Sequence, residues 1–169
     1  MSKVVVVGAG AAGMMAAGTA ARNGAKVLLL EKMEKPARKV RITGKGRCNL
    51  TNERGIEEFE ANVRTNYDFL KVAYSEFNNR ATMQFFKRMG VKLVTERGDR
   101  VFPESGKAAD IANALEFYCR DYDVEIRCHT RVSGIVTLGN KVLGVKYFNK
   151  RGFERRIEAP NVIIATGGI

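Results

Sequence analysis

Lys3-Val-Val-Val-Val7 running straight into Gly8-Ala9-Gly10-Ala11-Ala12-Gly13 decides how this chain is read. A short apolar strand meets three glycines at G-x-G-x-x-G spacing, and an alanine-rich stretch follows (Ala16, Ala17, Ala20, Ala21). That order suits a dinucleotide pyrophosphate held at a helix N-terminus. Gly8 permits the tight turn out of the strand, Gly10 lets backbone approach the phosphates, and Gly13 lets the helix pack on the sheet. Ala11 and Ala12 complete the turn and offer only small side chains to a ligand. Val27-Leu-Leu-Leu30 reads as a second apolar strand and ends in Glu31. An acid about 20 residues after the glycines is placed to accept ribose hydroxyls. The bland alternative is a βαβ unit whose glycines serve packing alone.

At 169 residues, one domain with one good core is the expectation for residues 1–169. With 45% hydrophobic and 28% charged residues and no low-complexity tract, the composition is that of a soluble globular protein. No apolar run approaches a membrane span or a signal-peptide core, so no membrane association and a cytoplasmic location are expected. Cys48, Cys119 and Cys128 leave at least one thiol unpaired, which fits a reducing compartment. The Asn49-Leu50-Thr51 sequon is discounted without a secretion signal.

The net charge of +11 admits nucleic-acid binding or an acidic remainder of the polypeptide that covers the basic surface. The densest cluster runs from Lys32 through Lys35, Arg38, Lys39, Arg41 and Lys45 to Arg47, directly after the ribose-type acid. It carries no interleaved aromatics for base stacking, which argues against nucleic acid and for an anionic cofactor.

The first helix is expected over residues 13–23, with Gly24 just past its end. Residues 33–52 read as a long loop punctuated by Pro36, Gly44 and Gly46. Periodicity places a helix over 67–77, with Phe69, Leu70, Ala73 and Phe77 on one face, and another over 81–89. Residues 91–94 alternate like a strand, and 101–103 are extended with Pro103 suiting an edge. A helix is expected from a Ser105 cap to about Tyr122, with Ile111, Leu115 and Tyr118 or Cys119 inward. Residues 124–128 begin a β-rich end, where His129 is read as structural on a strand edge. Gly139-Asn140 signals a hairpin between 132–138 and 142–148, and a further turn leads into 153–157. Val162-Ile-Ile-Ala165 is a buried-type strand before Thr166-Gly167-Gly168. The order predicts an α/β, Rossmann-like parallel sheet whose last crossover is a β-meander. That connection points to a flavin-type domain, because plain nicotinamide domains repeat βαβ.

A second motif is Arg38-Lys-Val-Arg-Ile-Thr-Gly-Lys-Gly-Arg-Cys-Asn-Leu-Thr-Asn52. Gly44 and Gly46 allow positive φ and close approach of a ligand. Lys32, Arg38, Lys39 and Arg47 can neutralise phosphates, while Asn49, Thr51 and Asn52 supply neutral donors and acceptors. The competing reading is a loop that hydrogen-bonds its own turns. No Walker pattern occurs, and no C-x-x-C supports a dithiol couple. Cys48 sits among cations that could lower its pKa, yet a small residue filling a tight loop is the better reading. His129 has no triad partner, and Asp99, Glu104, Asp110 and Glu116 lack metal-ligand spacing, so no metal is expected.

Taken together, GAGAAG with Glu31-Lys32, ITGKGRCNLTN (residues 42–52), Val101-Phe-Pro103 leading into a helix, and VIIATGG (residues 162–168) resemble the bacterial YhiN-like (BaiN/RdsA-type) NAD(P)/FAD-dependent oxidoreductases. The resemblance covers the whole chain, while members of that family are considerably longer. It implies FAD, with pyrophosphate at Gly8–Gly13, ribose at Glu31 and the Arg38–Lys39 loop close by. It further implies adenine contacts on the strand containing Val132. Flavin-side contacts fall at residues 49–52, next to Cys48, and at Ala165, Thr166 and Gly167. NAD(P)H is the implied reductant, and neither a catalytic residue nor a substrate is assigned. The expectation is therefore the N-terminal FAD-binding part of an oxidoreductase, incomplete alone and holding the ADP half better than the flavin ring. An NAD(P)-binding dehydrogenase domain and a basic nucleic-acid-binding module are the alternatives.

Overall fold

Two apolar runs build the centre of a parallel sheet. β1 (Lys3–Val7) and β2 (Lys26–Leu30) are each exposed at the leading lysine and buried at the next four residues. An unbroken apolar run marks a strand covered on both faces, as parallel sheets with crossovers require. β1 pairs in parallel with β2, from Lys3 opposite Lys26 to Val7 opposite Leu30, and with β10 (Asn161–Ile164) on its other side. β2 pairs in parallel with β6 (Glu125–Arg127), giving the order β10-β1-β2-β6. The structure, a computed structural model, describes residues 2–168. This sheet lies in a compact unit made of Met1–Val40 and Leu115–Ile169, and Arg41–Ala114 form a second unit.

Within the first unit α1 (Ala11–Arg22) connects β1 to β2 and ends at Asn23, with Gly24 following at φ +86°. Its small residues admit a neighbour. A Cβ on Gly18 would lie 2.3 Å from a ring carbon of Tyr118, on α6 (Ala108–Asp121). Cys119 Sγ of the same helix donates to the Met14 carbonyl at 3.3 Å. Leu115, Tyr118 and Cys119 are all buried, as the helical pattern required. The opposite face of the sheet presents Val5, Val7, Leu28 and Leu30 to Val145, Ile157 and Ala159.

Those last residues belong to the expected meander: β7 (Arg131–Leu138), β8 (Lys141–Phe148) and β9 (Glu154–Glu158), antiparallel in sequence order. Gly139 turns the first hairpin at φ +55°. The chain then returns as β10 beside β1, so the crossover into β10 is the meander. His129 corrects the sequence reading. It lies between β6 and β7 in the left-handed region (φ 51°), off any strand, where its N–H donates to the Met33 carbonyl at 3.0 Å.

In the second unit β3 (Thr51–Asn52), β5 (Arg100–Pro103) and β4 (Leu93–Glu96) form an antiparallel sheet with β5 in the middle. Pro103 is therefore not on an edge strand. It is tolerated because β3 reaches only Val101 and Arg100, leaving Pro103 opposite Leu93 alone. β4 starts two residues later than expected, because the Val91 N–H is used on the Phe86 carbonyl to close α5 (Asn79–Arg88). Asn78 caps that helix by accepting from the Ala81 N–H at 3.0 Å.

The expected long loop contains α2 (Arg38–Ile42) and a 3₁₀ turn over Thr43–Gly46. Ser105 does not begin a helix. It accepts from the Lys107 N–H at 3.1 Å, and α6 starts at Ala108. α3 (Ile56–Asn62) went unread in the sequence. On α4 (Tyr67–Glu76) the expected apolar face is not core: Phe69 is 84% exposed, Leu70 38% and Phe77, just past the helix, 42%.

Candidate functional site

The glycine turn divides into two structural roles and one position with neither. A Cβ on Gly13 would sit 1.8 Å from the Gly8 carbonyl oxygen and 3.3 Å from the Ala165 methyl. Gly8 lies at φ +100°, and a Cβ there would meet the Ala165 oxygen at 2.5 Å. Both glycines are thus demanded by the chain itself. Gly10 is different. Its backbone is ordinary extended chain (φ −78°, ψ −174°), and a Cβ there would meet nothing within 4 Å. Nothing among the described residues requires glycine at position 10, and the space in front of it is open.

That space lies at the N-terminus of α1. The Met14 N–H donates to the Gly10 carbonyl at 3.0 Å, so the N–H groups of Ala11, Ala12 and Gly13 precede the first intrahelical bond. No side chain caps them, and no acid stands in the first turn. Such an end carries partial positive charge and three outward donors, which is chemistry for an anion.

Glu31 stands at the end of β2, beside the turn. Its carboxylate accepts from the Ala9 N–H and the Met33 N–H, each at 2.9 Å, one on each oxygen. A carboxylate offers about four lone-pair sites, so capacity remains for hydroxyl donors. The Thr130 N–H donates to the Glu31 carbonyl at 2.8 Å, which fixes the start of the strand carrying Val132 alongside. Val132 itself is partly buried against the sheet-to-meander core.

The closing ATGG meets the turn through the β1–β10 pairing, where the Ala165 N–H donates to the Val7 carbonyl at 2.8 Å. Thr166 and Gly167 follow, exposed, with Gly167 at φ +87°. Lys39 Nζ comes within 3.6 Å of a Cβ placed on Gly167, and Lys39 makes no ion pair among the described residues. Arg38 has a loose pair with Glu34 at 3.8 Å, both half-exposed, and Lys32 is exposed. The first and third motifs, Glu31, Lys39 and the Val132 strand thus converge at the carboxyl ends of the parallel strands. Ligands of open α/β sheets bind there.

The rest of the second motif lies in the other unit. Gly44 and Gly46 have positive φ as expected, and Lys45 and Cys48 share that region at 56° and 58°. Arg47 is engaged within its unit: its guanidinium pairs with Glu96 and lies 4.5 Å from the centre of the Phe102 ring. Asn52 behaves as the self-bonding loop alternative proposed, donating to the Gly98 carbonyl and accepting from the Arg54 N–H, each at 2.9 Å. Asn49 and Thr51 have no side-chain hydrogen bond among the described residues. Neither the Arg47–Glu96 pair nor the Asn52–Gly98 bond has a local signal, because the partners lie over forty positions away; the bond from Arg54 to Asn52, two positions apart, is the local turn.

Cys48 is buried, in keeping with a small residue filling a tight loop, and burial pushes its thiol up from its ordinary pKa. Burial also raises Cys128, with Glu31 adding to the effect, and lifts Cys119 to about 11. All three thiols are free. Among the described residues no cluster fits a metal, and no helix is long and apolar enough to cross a membrane.

The 3-dehydro-bile acid delta(4,6)-reductase of Clostridium scindens is 34% identical over 172 residues, covering 99% of this chain and 39% of that protein. The ribosomal RNA dihydrouridine synthase of Haemophilus influenzae is 29% identical over 171 residues, covering 99% and 41%. The chain therefore spans about two-fifths of the length of these curated relatives. Among solved structures, the 3-ketosteroid-delta4-(5alpha)-dehydrogenase of Rhodococcus jostii RHA1 superposes with a TM-score of 0.75 at 19% identity, over 98% of this chain and 46% of that one. A flavocytochrome c3 fumarate reductase gives 0.67 at 24%, over 99% and 34%. At such identities these structures speak for the fold, an α/β Rossmann architecture shared with flavoproteins. Residues 2–169 match the HI0933-like protein Rossmann domain, and the chain belongs to that family.

Proposed function

We propose that this chain is the FAD-binding portion of a flavoprotein oxidoreductase, and Gly10 is the observation that carries the reading. A glycine that neither backbone strain nor packing requires, facing open space before three uncapped N–H groups, suits the close approach of a pyrophosphate. Gly8 and Gly13 set the turn, and Ala11, Ala12 and Gly13 donate backbone N–H groups to phosphate oxygens. Glu31 accepts from the adenosine ribose on the lone pairs its two backbone bonds leave open. Lys39 offsets phosphate charge with Lys32 and Arg38 nearby, and the Val132 strand borders the adenine. Ala165, Thr166 and Gly167 face the flavin side of the cofactor. From the second motif, Gly44, Asn49 and Thr51 are the flavin-side candidates, whereas Arg47, Cys48 and Asn52 chiefly hold the loop that presents them.

When bound, the flavin would supply two-electron hydride chemistry, with NAD(P)H as reductant in the cytoplasm. The names of the two curated relatives describe one kind of change, hydrogen added across a ring double bond that is conjugated to a carbonyl. We extend that reaction class to the protein that contains this chain. A nicotinamide domain is disfavoured by the meander crossover, and a nucleic-acid module by the absence of aromatics from the basic cluster at residues 32–47.

Calorimetric titration with FAD, FMN and ADP tests the cradle. FAD and ADP are expected to bind competitively and FMN to bind at least tenfold more weakly (about 1.4 kcal/mol), since it lacks the ADP half. FMN binding as tightly as FAD, with none by ADP, would overturn the assignment.

A further inference from the structure

The Glu31 carboxylate is the centre of a closed set of hydrogen bonds inside the first unit. The Ala9 N–H donates to one of its oxygens and the Met33 N–H to the other. The backbone around it is pinned as well. The Glu31 N–H donates to the Arg127 carbonyl at 2.9 Å, the Thr130 N–H to the Glu31 carbonyl at 2.8 Å, and the His129 N–H to the Met33 carbonyl at 3.0 Å. Ala9 is gripped from its far side, where its carbonyl accepts from the Ala37 N–H at 2.7 Å.

This arrangement holds two residues in the left-handed region, Ala37 at φ 57° and His129 at φ 51°. Residues with a Cβ are disfavoured there, and such strain persists only where surrounding bonds over-determine the backbone. At His129 the determining bond comes from a side chain. Thr130 is 4% exposed, and its Oγ1 donates to the Cys128 carbonyl at 3.0 Å, closing the turn over His129. The His129 side chain itself is exposed. Besides the Glu31 carboxylate, the Thr130 hydroxyl is the only side-chain group in this set, since every other donor and acceptor is backbone. The hydroxyl therefore decides whether the His129 and Thr130 N–H groups stay aimed at residues 31–33.

We propose that Thr130 is a positioning residue for ribose recognition. Its hydroxyl locks the left-handed turn at His129, the turn holds the Met33 backbone, and the Met33 N–H holds the Glu31 carboxylate toward an adenosine hydroxyl. The ribose half of this inference rests on the FAD cradle proposed above, whereas the lock on the loop does not.

Thr130→Val and Thr130→Ala remove the hydroxyl, and Thr130→Ser keeps it. Two readouts on the full chain separate positioning from stability alone. Amide hydrogen exchange without ligand reports the lock, with the Val5 and Val6 amides of β1 as the reference for overall stability. The Met33 N–H is expected to exchange about tenfold faster in the valine and alanine variants than in the parent. Calorimetry reports the ribose contact. ADP is expected to bind the parent about tenfold tighter than at least one of 2′-deoxy-ADP and 3′-deoxy-ADP. That preference should fall to about threefold or less in the valine and alanine variants and be kept by Thr130→Ser. A purely structural Thr130 would weaken all three nucleotides equally and leave the preference intact. In a Glu31→Gln background, Thr130→Val should alter the preference no further. The proposal is overturned if, without the hydroxyl, Met33 exchanges at the parent rate or the preference survives. A parent with no preference, or with no ADP binding, sinks the ribose reading of Glu31 and the proposal with it. The parent's own titration thus tells the two failures apart.

Discussion

Replacing Gly10 and Gly13 by alanine separates what the glycine turn does for the fold from what it does for a ligand. At Gly13 the new Cβ would lie 1.8 Å from the Gly8 oxygen, a backbone atom that cannot swing aside. Overpacking of this kind costs about 3 kcal/mol. For a chain of this size that lowers the melting temperature by roughly 6 °C or more. At Gly10 the methyl meets no protein atom, and the backbone already suits an L residue. Alanine there reduces unfolded-state entropy by the equivalent of about 0.4–1 kcal/mol. It also loses glycine's modest advantage as an N-cap, which offsets most of that gain. Stability is therefore expected to stay within about 0.5 kcal/mol of the parent. The same methyl occupies the approach to the α1 N–H groups. Losing one charge-assisted hydrogen bond is worth about 1.5–3 kcal/mol, which weakens FAD binding roughly ten- to hundredfold. Urea denaturation and FAD calorimetry on the two variants supply both numbers. If Gly10→Ala binds FAD like the parent, or unfolds as readily as Gly13→Ala, the ligand role assigned to Gly10 is wrong.

Glu31→Ala leaves the Ala9 and Met33 N–H groups unpaired at a partly buried position, and a loss of about 1–2 kcal/mol is expected in denaturant. Glu31→Gln keeps one acceptor oxygen, so it should lose roughly half as much stability while FAD affinity falls about tenfold. Lys39→Ala should leave the melting temperature unchanged, because Lys39 has no ion pair to lose among the described residues. It should also flatten the salt dependence of FAD binding; an unchanged salt slope would remove Lys39 from the site. Cys119 supplies a pH signature. Its folded pKa of about 11 is raised above an ordinary 9.0, so its contribution is fully present below pH 9 and is lost as pH climbs toward 11. Comparing urea midpoints of the parent and Cys119→Ala between pH 8 and pH 11 should show a steeper decline in the parent. Parallel curves would refute the burial argument.

Local pattern carried the parallel sheet and the meander, because both follow from short-range rules. Four buried residues after a lysine mark β1 and β2, and Gly139-Asn140 marks the hairpin between β7 and β8, though not the register shifts at Val132/Gly134 and Val136/Thr137. Gly8, Gly13 and the ATGG were legible for the same reason, since a glycine turn between strand and helix has few other uses. The contact between Ala165 and the turn needed the β10–β1 register, which no local pattern encodes. The second motif was read correctly as a tight loop and incompletely as a site. Arg47 looks like a phosphate ligand in sequence, yet Glu96 and Phe102 claim it from a distant hairpin. Cys48 has cations as sequence neighbours, yet it packs as the small loop-filling residue its type suggests, and burial raises its pKa. On α4 the helical spacing puts Phe69, Leu70 and Ala73 on one face, and the exposed Phe69 shows that periodicity reports a face without saying what covers it.

Direct calorimetric titration of the purified chain with FAD, and in parallel with NADH, tests the central claim most directly. Both ligands carry an ADP half, so only the flavin-specific contacts and the reach of the site separate them. Saturable FAD binding at least tenfold tighter than NADH is expected. Tight NADH binding with no detectable FAD binding would contradict the assignment and return the chain to the nicotinamide class.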